Sequence, residues 1–258
     1  MDLGLKDKVA IITGGSDGLG RATAKRMAAE GAKVVICARR ADHLADVAAT
    51  LSADTGGEVV GIAADVTRLE DCQAVVDGTV QRFGGLDILV NNAGASAAFR
   101  LEDVSDELWQ SDFDLKVMAS VRMCRLAVPH MRARGGGAIV NASIGGGKAP
   151  GAGQLPTSMM RAAGLNLTKS LSMEYAADRI RVNAICIGLI RSEQFVRRAE
   201  QNGMALEDLY AKMAEGIPLG RVGEAEEYAD LAAFLCSERG AFITGTAVNL
   251  DGGMCKTV

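Results

Sequence analysis

A glycine-rich turn between an apolar strand and a helix constrains the fold of this chain more than any other stretch. The apolar run 9–12, typical of a buried parallel strand, leads into the segment Thr13-Gly14-Gly15-Ser16-Asp17-Gly18-Leu19-Gly20. Apolar residues then recur at helical spacing over 21–30. Glycines permit positive φ and a close backbone approach, and a helix start presents free N–H groups to an anion. A glycine-rich segment of this kind can form a tight turn that binds no ligand. After the first strand of a chain that alternates strands with helices, however, it predicts dinucleotide binding.

The remainder of the chain alternates strands with helices. Further apolar strands are predicted at about 33–38, 59–64, 87–91, 138–143, 180–187 and 246–250, with helices at about 42–53, 68–83, 106–134, 158–177 and 224–237. Crossovers of this length are right-handed. The predicted fold is α/β: one Rossmann-type doubly wound sheet of seven parallel strands flanked by helices, with residues 1–258 in a single domain. The amphipathic segment 192–216 lies outside the alternation and is predicted to cover the substrate site, although its apolar residues suit a core face equally.

Composition excludes several classes of partner. The 258 residues carry a formal net charge of −4 without a block of like charge, so neither nucleic acid nor an anionic membrane surface is expected as a partner. The apolar runs are too short to span a bilayer and the first residues lack a signal-peptide layout, which predicts a cytoplasmic protein. The six cysteines are scattered, and His43 and His130 are expected to be surface or packing residues, so no metal site is predicted.

The position of the ligand follows from the predicted sheet. Doubly wound sheets bind ligands beyond the carboxyl ends of their strands, where the strand order reverses. This rule places the glycine-rich turn, residues 91–94, Ser143 and residues 187–192 around one crevice.

These segments resemble the classical short-chain dehydrogenase/reductase family over nearly the whole chain. The matching motifs are Thr13 to Gly20 for the family's Thr-Gly-x-x-x-Gly-x-Gly, Asp65-Val66, Asn91-Asn92-Ala93-Gly94, Arg181-Val182-Asn183-Ala184, Pro218-Leu219-Gly220-Arg221 and Asp251-Gly252-Gly253. The resemblance implies a bound nicotinamide dinucleotide. Its implied contacts are Gly14, Ser16, Asp17, Gly18, Leu19 and Gly20 at the pyrophosphate, Asp65 and Val66 at the adenine, Asn91, Ala93 and Gly94 at the ribose and nicotinamide, and Ile190 in segment 187–192. An alternative for Asn91 and Asn183 is that they chiefly tie adjacent loops together.

The choice between NADP and NAD depends on the end of the second strand. An acidic residue there would hydrogen-bond both ribose hydroxyls and repel a 2′-phosphate. This chain instead has Ala38-Arg39-Arg40. The small residue leaves room, and a guanidinium offers a planar fork that matches a phosphate, so Arg39 and Arg40 favour NADP, with NAD as the alternative.

The resemblance breaks at the catalytic positions. The family uses a serine, a tyrosine and a lysine, completed by an asparagine in the long helix; the tyrosine transfers the proton, and its pKa is lowered by the nearby ammonium. Ser143 corresponds to the serine, but Thr157 stands at the tyrosine position, Arg161 at the lysine position and Lys116 at the asparagine position. The only tyrosines of the chain, at 175, 210 and 228, cannot fill the gap in any register.

These departures weaken the expected chemistry. A threonine hydroxyl is a poor acid and arginine does not release its proton, so ordinary carbonyl reduction is expected to fall about a hundred- to ten-thousand-fold. Lys116 could replace the general acid, or it could turn to solvent or pair with Asp112 or Asp114.

Two functions remain open. One is an atypical NADP-dependent oxidoreductase that acts on a small organic carbonyl or alcohol and uses Ser143 with Lys116 or Arg161. The other is a redox-inactive member: a lyase or cyclase, or a ligand-binding or partner subunit. In either case the resemblance implies a homo-oligomer, a tetramer formed by the helices near 106–134 and 158–177.

Overall fold

A seven-stranded parallel sheet forms the centre of the molecule in the computed structural model, which describes residues 1–257. Its strands are β1 (Val9–Thr13), β2 (Lys33–Ala38), β3 (Val59–Ala63), β4 (Ile88–Asn91), β6 (Gly137–Ile144), β8 (Ile180–Ile187) and β9 (Ala247–Leu250). They lie in the order β3-β2-β1-β4-β6-β8-β9, and every neighbouring pair is parallel. The order reverses between β1 and β4, so the carboxyl end of β1 lies at the crevice of a doubly wound sheet. The predicted fold class is confirmed.

A second, smaller sheet was not predicted. β5 (Ala98–Phe99) pairs antiparallel with β7 (Leu155–Pro156). Two-residue strands carry no readable periodicity in the sequence. This pairing joins the segment after β4 to the start of the helix Thr157–Glu174. That helix contains two of the predicted catalytic positions.

Nine α-helices accompany the strands in residues 1–257. They are α1 (Gly18–Ala29), α2 (Ala41–Thr55), α3 (Leu69–Phe83), α4 (Asp106–Phe113), α5 (Ala119–Ala133), α6 (Thr157–Glu174), α7 (Glu193–Gln201), α8 (Leu206–Ala214) and α9 (Ala225–Cys236). The long helix predicted over 106–134 is divided by a π-helical turn, Asp114–Met118, between α4 and α5. Such turns insert a residue into the helical ladder and re-aim the side chains around it. None of these helices is long and apolar enough to cross a membrane.

Hydrophobic clusters cover both faces of the sheet. Along β1, Ala10 and Ile12 pack on one face against α1, α2 and α9, whereas Val9 and Ile11 pack on the other against α3 and α5. Strands buried on both faces explain the uninterrupted apolar runs of the sequence. A third cluster joins α7 and α8, where the rings of Phe195 and Tyr210 meet edge to face at 6.4 Å.

Candidate functional site

The glycine-rich turn is packed too tightly for side chains. Gly14 and Gly18 have φ values of 65° and 49°, in the left-handed region that favours glycine. A Cβ atom at Gly15 would lie 2.6 Å from the Ile36 side chain, and one at Gly20 would lie 2.2 Å from the Gly14 carbonyl oxygen. The turn therefore brings bare backbone to the start of α1, the arrangement that an anionic phosphate requires.

Asn92 holds this turn against the next strand. Its Nδ2 donates to the carbonyl oxygens of Thr13 (3.0 Å) and Gly14 (3.2 Å), and its backbone N–H donates to Thr13 Oγ1. The N–H of Ala93 donates to the same hydroxyl at 3.0 Å. The motif 91–94 alone does not indicate this role of Asn92, because the role depends on β1 and β4 being neighbouring strands.

The two asparagines whose role the sequence left open both make structural hydrogen bonds. Asn91 Nδ2 donates to Asn141 Oδ1 at 2.8 Å, and Asn141 Nδ2 donates in turn to Thr168 Oγ1 in α6. Asn183 Nδ2 donates to the Ile243 carbonyl oxygen at 2.9 Å. Asn91 thus links β4, β6 and α6, and a contact with the cofactor stays a prediction.

Charged side chains converge where β2 ends. Arg40 donates to Asp17 Oδ2 at 2.8 Å, and His43 Nε2 lies 3.0 Å from Asp17 Oδ1. Burial alone would raise the pKa of Asp17, but hydrogen bonds with His43 and Ser16 and the charge of Arg40 bring this pKa below its ordinary value. His43 thus packs beside the turn, a position that depends on how α2 lies against it.

The residues predicted at the adenine form the loop after β3. Val66 is buried, and Asp65 Oδ1 accepts hydrogen bonds from both the backbone N–H and the hydroxyl of Thr67. These bonds, with the charge of Arg39 nearby, outweigh burial and lower the pKa of Asp65. The loop is thus rigidly shaped and acidic, and its contact with adenine stays a prediction.

Lys116 and Thr157 meet at the predicted catalytic corner. Lys116 lies in the π-helical turn, its side chain is fully buried, and its Nζ donates to Thr157 Oγ1 at 2.7 Å. Nζ also pairs with Asp112, so of the three placements that the sequence left open the structure has the pairing with Asp112. Asp114 instead accepts a hydrogen bond from Gln110 and pairs with Arg122. Burial lowers the pKa of Lys116, and nearby Arg161 lowers it further, whereas Asp112 opposes both effects.

Arg161 follows Thr157 by one turn of α6 and faces residue 94. Its Nη1 donates to the Ala142 carbonyl oxygen at 2.5 Å, and a Cβ atom at Gly94 would lie 2.7 Å from its Nη2. Its Nε is buried and has no hydrogen-bond partner within residues 1–257. Burial lowers the pKa of Arg161, but a guanidinium stays charged at neutral pH. A second cation therefore lies beside the segment predicted to meet the nicotinamide.

Ser143 is buried, as Lys116 and Thr157 are. It is 2% exposed, and its Oγ is 3.5 Å from the Arg161 carbonyl oxygen, a long and weak contact. Its partner on the neighbouring strand β8 is Cys186, whose thiol lies beside the Ser143 hydroxyl. The hydroxyl is directed at α6 and β8, and its part in the chemistry stays a prediction.

The segment after β8 follows the carboxyl end of another strand of the sheet. Ile190 is buried and bridges to Gly223, with the Gly223 N–H donating to the Leu189 carbonyl oxygen at 2.9 Å. The segment 192–216, predicted to cover the substrate site, begins here, and Arg191 pairs with Glu207 of α8. Ile190 thus lies at the junction of sheet and cover.

The sheet order and the glycine-rich turn at its reversal point define a Rossmann-type α/β protein. A family model described as enoyl-(acyl carrier protein) reductase matches residues 14–255. Dehydrogenase/reductase SDR family member 4 of Homo sapiens is 37% identical over 250 residues, covering 96% of this chain and 88% of that protein. The chain belongs to the short-chain dehydrogenase/reductase family.

Two solved structures have the same fold over their full length. L-Sorbose reductase from Gluconobacter frateurii, complexed with NADPH and L-sorbose, is 40% identical with a TM-score of 0.96, covering 100% of both chains. A short-chain oxidoreductase from Pseudomonas aeruginosa PAO1, solved with NADPH and described as containing an atypical catalytic center, is 32% identical with a TM-score of 0.94, covering 99% of both chains.

Proposed function

We propose that this protein is an NADP(H)-dependent oxidoreductase that acts on a small organic carbonyl or alcohol through a modified catalytic site. One observation carries the proposal: the buried ammonium of Lys116 contacts Thr157, and the partly buried guanidinium of Arg161, one turn further along α6, lies beside Gly94 at the carboxyl edge of the sheet. A reductase needs positive charge at the place where the substrate oxygen becomes negative. A pocket that bound only a neutral ligand would gain nothing from two desolvated cations.

The glycine-rich turn fits a dinucleotide. Side chains would fill the cradle at Gly15 and Gly20, so its bare backbone and the N-terminus of α1 suit the pyrophosphate. The proposed contacts at the other parts of the cofactor are Asp65 and Val66 for the adenine, Ala93 and Gly94 for the ribose and nicotinamide, and Ile190 from the segment after β8. When bound, the cofactor supplies or accepts a hydride.

NADP is favoured over NAD by the charge at the end of β2. Arg39 and Arg40 are exposed there, and Ala38 leaves space beside them. Relatives in the same fold were solved with NADPH, including the L-sorbose reductase that is 40% identical. Asp17 holds Arg40 at the mouth of the turn, where its planar fork suits a 2′-phosphate.

The protein's part in the reaction is then to orient the substrate and to stabilise charge. We expect Arg161, with Nη2 beside Gly94, to act on the nicotinamide side, and Lys116 with Thr157 to act on the substrate oxygen. Ser143 has a smaller proposed part, since it is directed at the backbone of α6.

Two measurements test this function. Titration with NADPH and NADH, followed by fluorescence, measures cofactor affinity, and absorbance at the nicotinamide band measures turnover on a panel of ketoses, simple ketones and alcohols that includes L-sorbose. We expect tighter binding of NADPH and turnover of at least one compound. Tight binding of NADPH without turnover on any compound would contradict the oxidoreductase function.

A non-redox enzyme, or a ligand-binding subunit, is the second candidate, and the chemistry of Thr157 favours it. A hydroxyl with a pKa far above that of a phenol replaces the family's acid, and Arg161 replaces a lysine that can exchange its proton. The double change Thr157→Tyr with Arg161→Lys discriminates between the candidates. A gain in carbonyl reduction would indicate a pocket otherwise built for hydride transfer, whereas no gain would favour the second candidate.

We also infer that the chain forms a homo-oligomer, a tetramer by resemblance to its family. Met159 and Met173 on α6 are 57% and 70% exposed, and apolar side chains of this size are typical of surfaces that bury against a partner. Light scattering during size-exclusion chromatography tests the oligomer, and a mass of one chain, 26.9 kDa, would contradict it.

A further inference from the structure

The hydroxyl of Thr157 has both of its acceptor positions occupied. Lys116 Nζ donates to Thr157 Oγ1 at 2.7 Å, and the Ala97 backbone N–H donates to the same atom at 3.0 Å. A hydroxyl oxygen has two lone pairs and one proton. The proton of Thr157 must therefore point away from Lys116 and Ala97, and no acceptor in residues 1–257 takes it.

Lys116 is held in place from its other side by Asp112. The two residues are four apart across the start of the π-helical turn, and their side chains are 0% and 4% exposed. Asp112 Oδ1 pairs with Nζ, whereas Oδ2 is buried and has no partner within the described chain. Lys116 is therefore the one hydrogen-bond partner of the Asp112 carboxylate within residues 1–257. A buried carboxylate in such a position stabilises the charged form of its lysine partner.

We infer that Thr157 is the proton donor to the substrate oxygen, that Lys116 replenishes its proton, and that Asp112 is the positioning residue that keeps Lys116 charged and aimed at Thr157. This inference rests on the proposed function, because it assigns the proton path of a carbonyl reduction. It also explains how a threonine can stand at the position of an acid, since the ammonium at 2.7 Å supplies the proton that the hydroxyl gives up.

The proton and electron balance is complete. The hydride that a bound reduced cofactor would supply, two electrons and one proton, would go to the carbonyl carbon, and the C=O double bond would become a C–O single bond. The Thr157 O–H bond breaks as the O–H bond of the product alcohol forms. A proton passes from Lys116 Nζ to Thr157 Oγ1, so that threonine is restored and lysine becomes a neutral amine. Lys116 takes up one proton from bulk solvent before the next turnover, so each alcohol formed consumes one hydride and one solvent proton, and the same path operates in reverse for alcohol oxidation.

Few charged groups surround Lys116, which makes its role testable. Asp112 faces it from its own helical segment and stabilises the ammonium, and Arg161 faces it from α6 and opposes the ammonium. The segment before β5 contributes only the Ala97 backbone N–H. Asp114 lies two residues away but pairs with Arg122 and is half-buried, so Asp114→Asn is a matched control for Asp112→Asn.

The experiment compares Thr157→Val, Thr157→Ser, Asp112→Asn and Asp114→Asn with the unchanged protein by two readouts. The first is the pH profile of carbonyl reduction on the compound that the panel identifies. The second, which needs no cofactor, is the pH titration of the Lys116 ammonium followed by nitrogen-15 NMR.

We expect Thr157→Val to reduce kcat by about a hundredfold or more, the range for loss of a general acid, and Thr157→Ser to stay within about tenfold. Asp112→Asn should move the Lys116 titration to lower pH, because the ammonium loses its counter-charge, and the fall of kcat with rising pH should move with it. Asp114→Asn should move neither. Thermal melting checks that each variant is folded, and Thr157→Ser keeps the donor testable if Thr157→Val unfolds.

The outcomes separate this inference from the proposed function. If the unchanged protein binds NADPH and turns over no substrate, both the function and the proton path are wrong. If it turns over a substrate and Thr157→Val keeps kcat within about threefold, only the donor role of Thr157 is wrong. If Thr157→Val does not fold, a folded Thr157→Ser protein that loses more than about a hundredfold in kcat would overturn the donor role, because the hydroxyl is retained. If Asp112→Asn leaves the Lys116 titration and the pH profile unchanged, the positioning role of Asp112 is wrong.

Discussion

Asp17 accepts a hydrogen bond of 2.8 Å from Arg40, which ties the glycine-rich turn to the end of β2. The carboxylate also contacts His43 of α2. This ion pair restricts the Arg40 side chain, which is 68% exposed at the end of β2, and a restricted side chain loses less entropy when a ligand binds. Asp17 thus ties Arg40 to the turn, and its own contact with the pyrophosphate stays a prediction.

Arg40→Ala is expected to weaken NADPH binding by about tenfold or more and NADH binding by less than about twofold. Hydrogen bonds to a charged group contribute about 1.5–3 kcal/mol, and only NADPH carries the 2′-phosphate that would receive them. Fluorescence titration with both cofactors measures the two changes. Arg82→Ala is a suitable control because Arg82, on α3, pairs with Glu58 at the amino end of β3, away from the crevice. Equal losses for NADPH and NADH would show that Arg40 does not read the phosphate.

Gly20→Ala is expected to abolish most cofactor binding and to lower the free energy of unfolding by about 1–3 kcal/mol. The added Cβ would meet the Gly14 carbonyl oxygen at 2.2 Å and Asn92 Nδ2 at 2.6 Å, so the turn would have to open. Gly164→Ala provides the contrast, because that glycine is inside α6 with nothing within 4 Å of its Cβ position. It should stabilise the protein by about 0.5–1 kcal/mol. Denaturant unfolding measures both, and a Gly20→Ala protein that binds NADPH normally would contradict the tight packing of the turn.

Tyr228→Phe is expected to change turnover by less than about twofold. The free energy of unfolding is expected to stay the same or to rise by up to about 1 kcal/mol. The ring is fully buried, and its hydroxyl has no hydrogen-bond partner in the part of the chain described. Removing an unsatisfied buried hydroxyl removes its desolvation cost. Burial raises the pKa of Tyr228 well above its ordinary value, an effect that the charge of Arg161 only partly offsets. A large loss of turnover in this variant would instead indicate that Tyr228 substitutes for the family's tyrosine.

Glu227 makes the stability of the protein sensitive to acid. Hydrogen bonds from Arg221 and from the Glu224 backbone N–H lower the pKa of Glu227 to about 2. A folded-state pKa below the unfolded value of about 4.3 means that the stabilisation is complete above that pH and is lost as the pH falls toward 2. Glu227→Gln should therefore lower Tm at pH 7, and the difference from the unchanged protein should shrink as the pH falls from 5 toward 3. Glu226→Gln, exposed on the same turn of α9, should show no such trend.

The sequence predicted the fold well because its signals are local. Apolar runs, helical spacing and the glycines at 14, 18 and 20 each report on a few consecutive residues, and the strand order then follows from rules on crossovers. The small β5–β7 sheet was missed because two-residue strands have no period. The π-helical turn at Asp114–Met118 was missed because its residues have the same spacing pattern as an ordinary helix.

The candidate site was predictable as a set of residues but not as a set of contacts. The motifs brought Lys116, Thr157 and Arg161 together, yet only the packing of α4, α6 and the β5–β7 sheet decides that Lys116 turns inward to Thr157. The contact of His43 with Asp17 could not be predicted from the sequence, because the two residues are 26 positions apart.

The amino-acid sequence by itself determined the doubly wound sheet and the position of the glycine-rich turn, and it predicts Thr157 and Arg161 at the positions of the family's tyrosine and lysine. Tertiary structure decided which partner each charged side chain has: Asp112 rather than Asp114 for Lys116, and Asp17 for Arg40. The physical reason is the distance along the chain over which each effect acts. Backbone preferences act over a few residues, whereas the energy of a buried charge depends on the groups that the whole fold places around it.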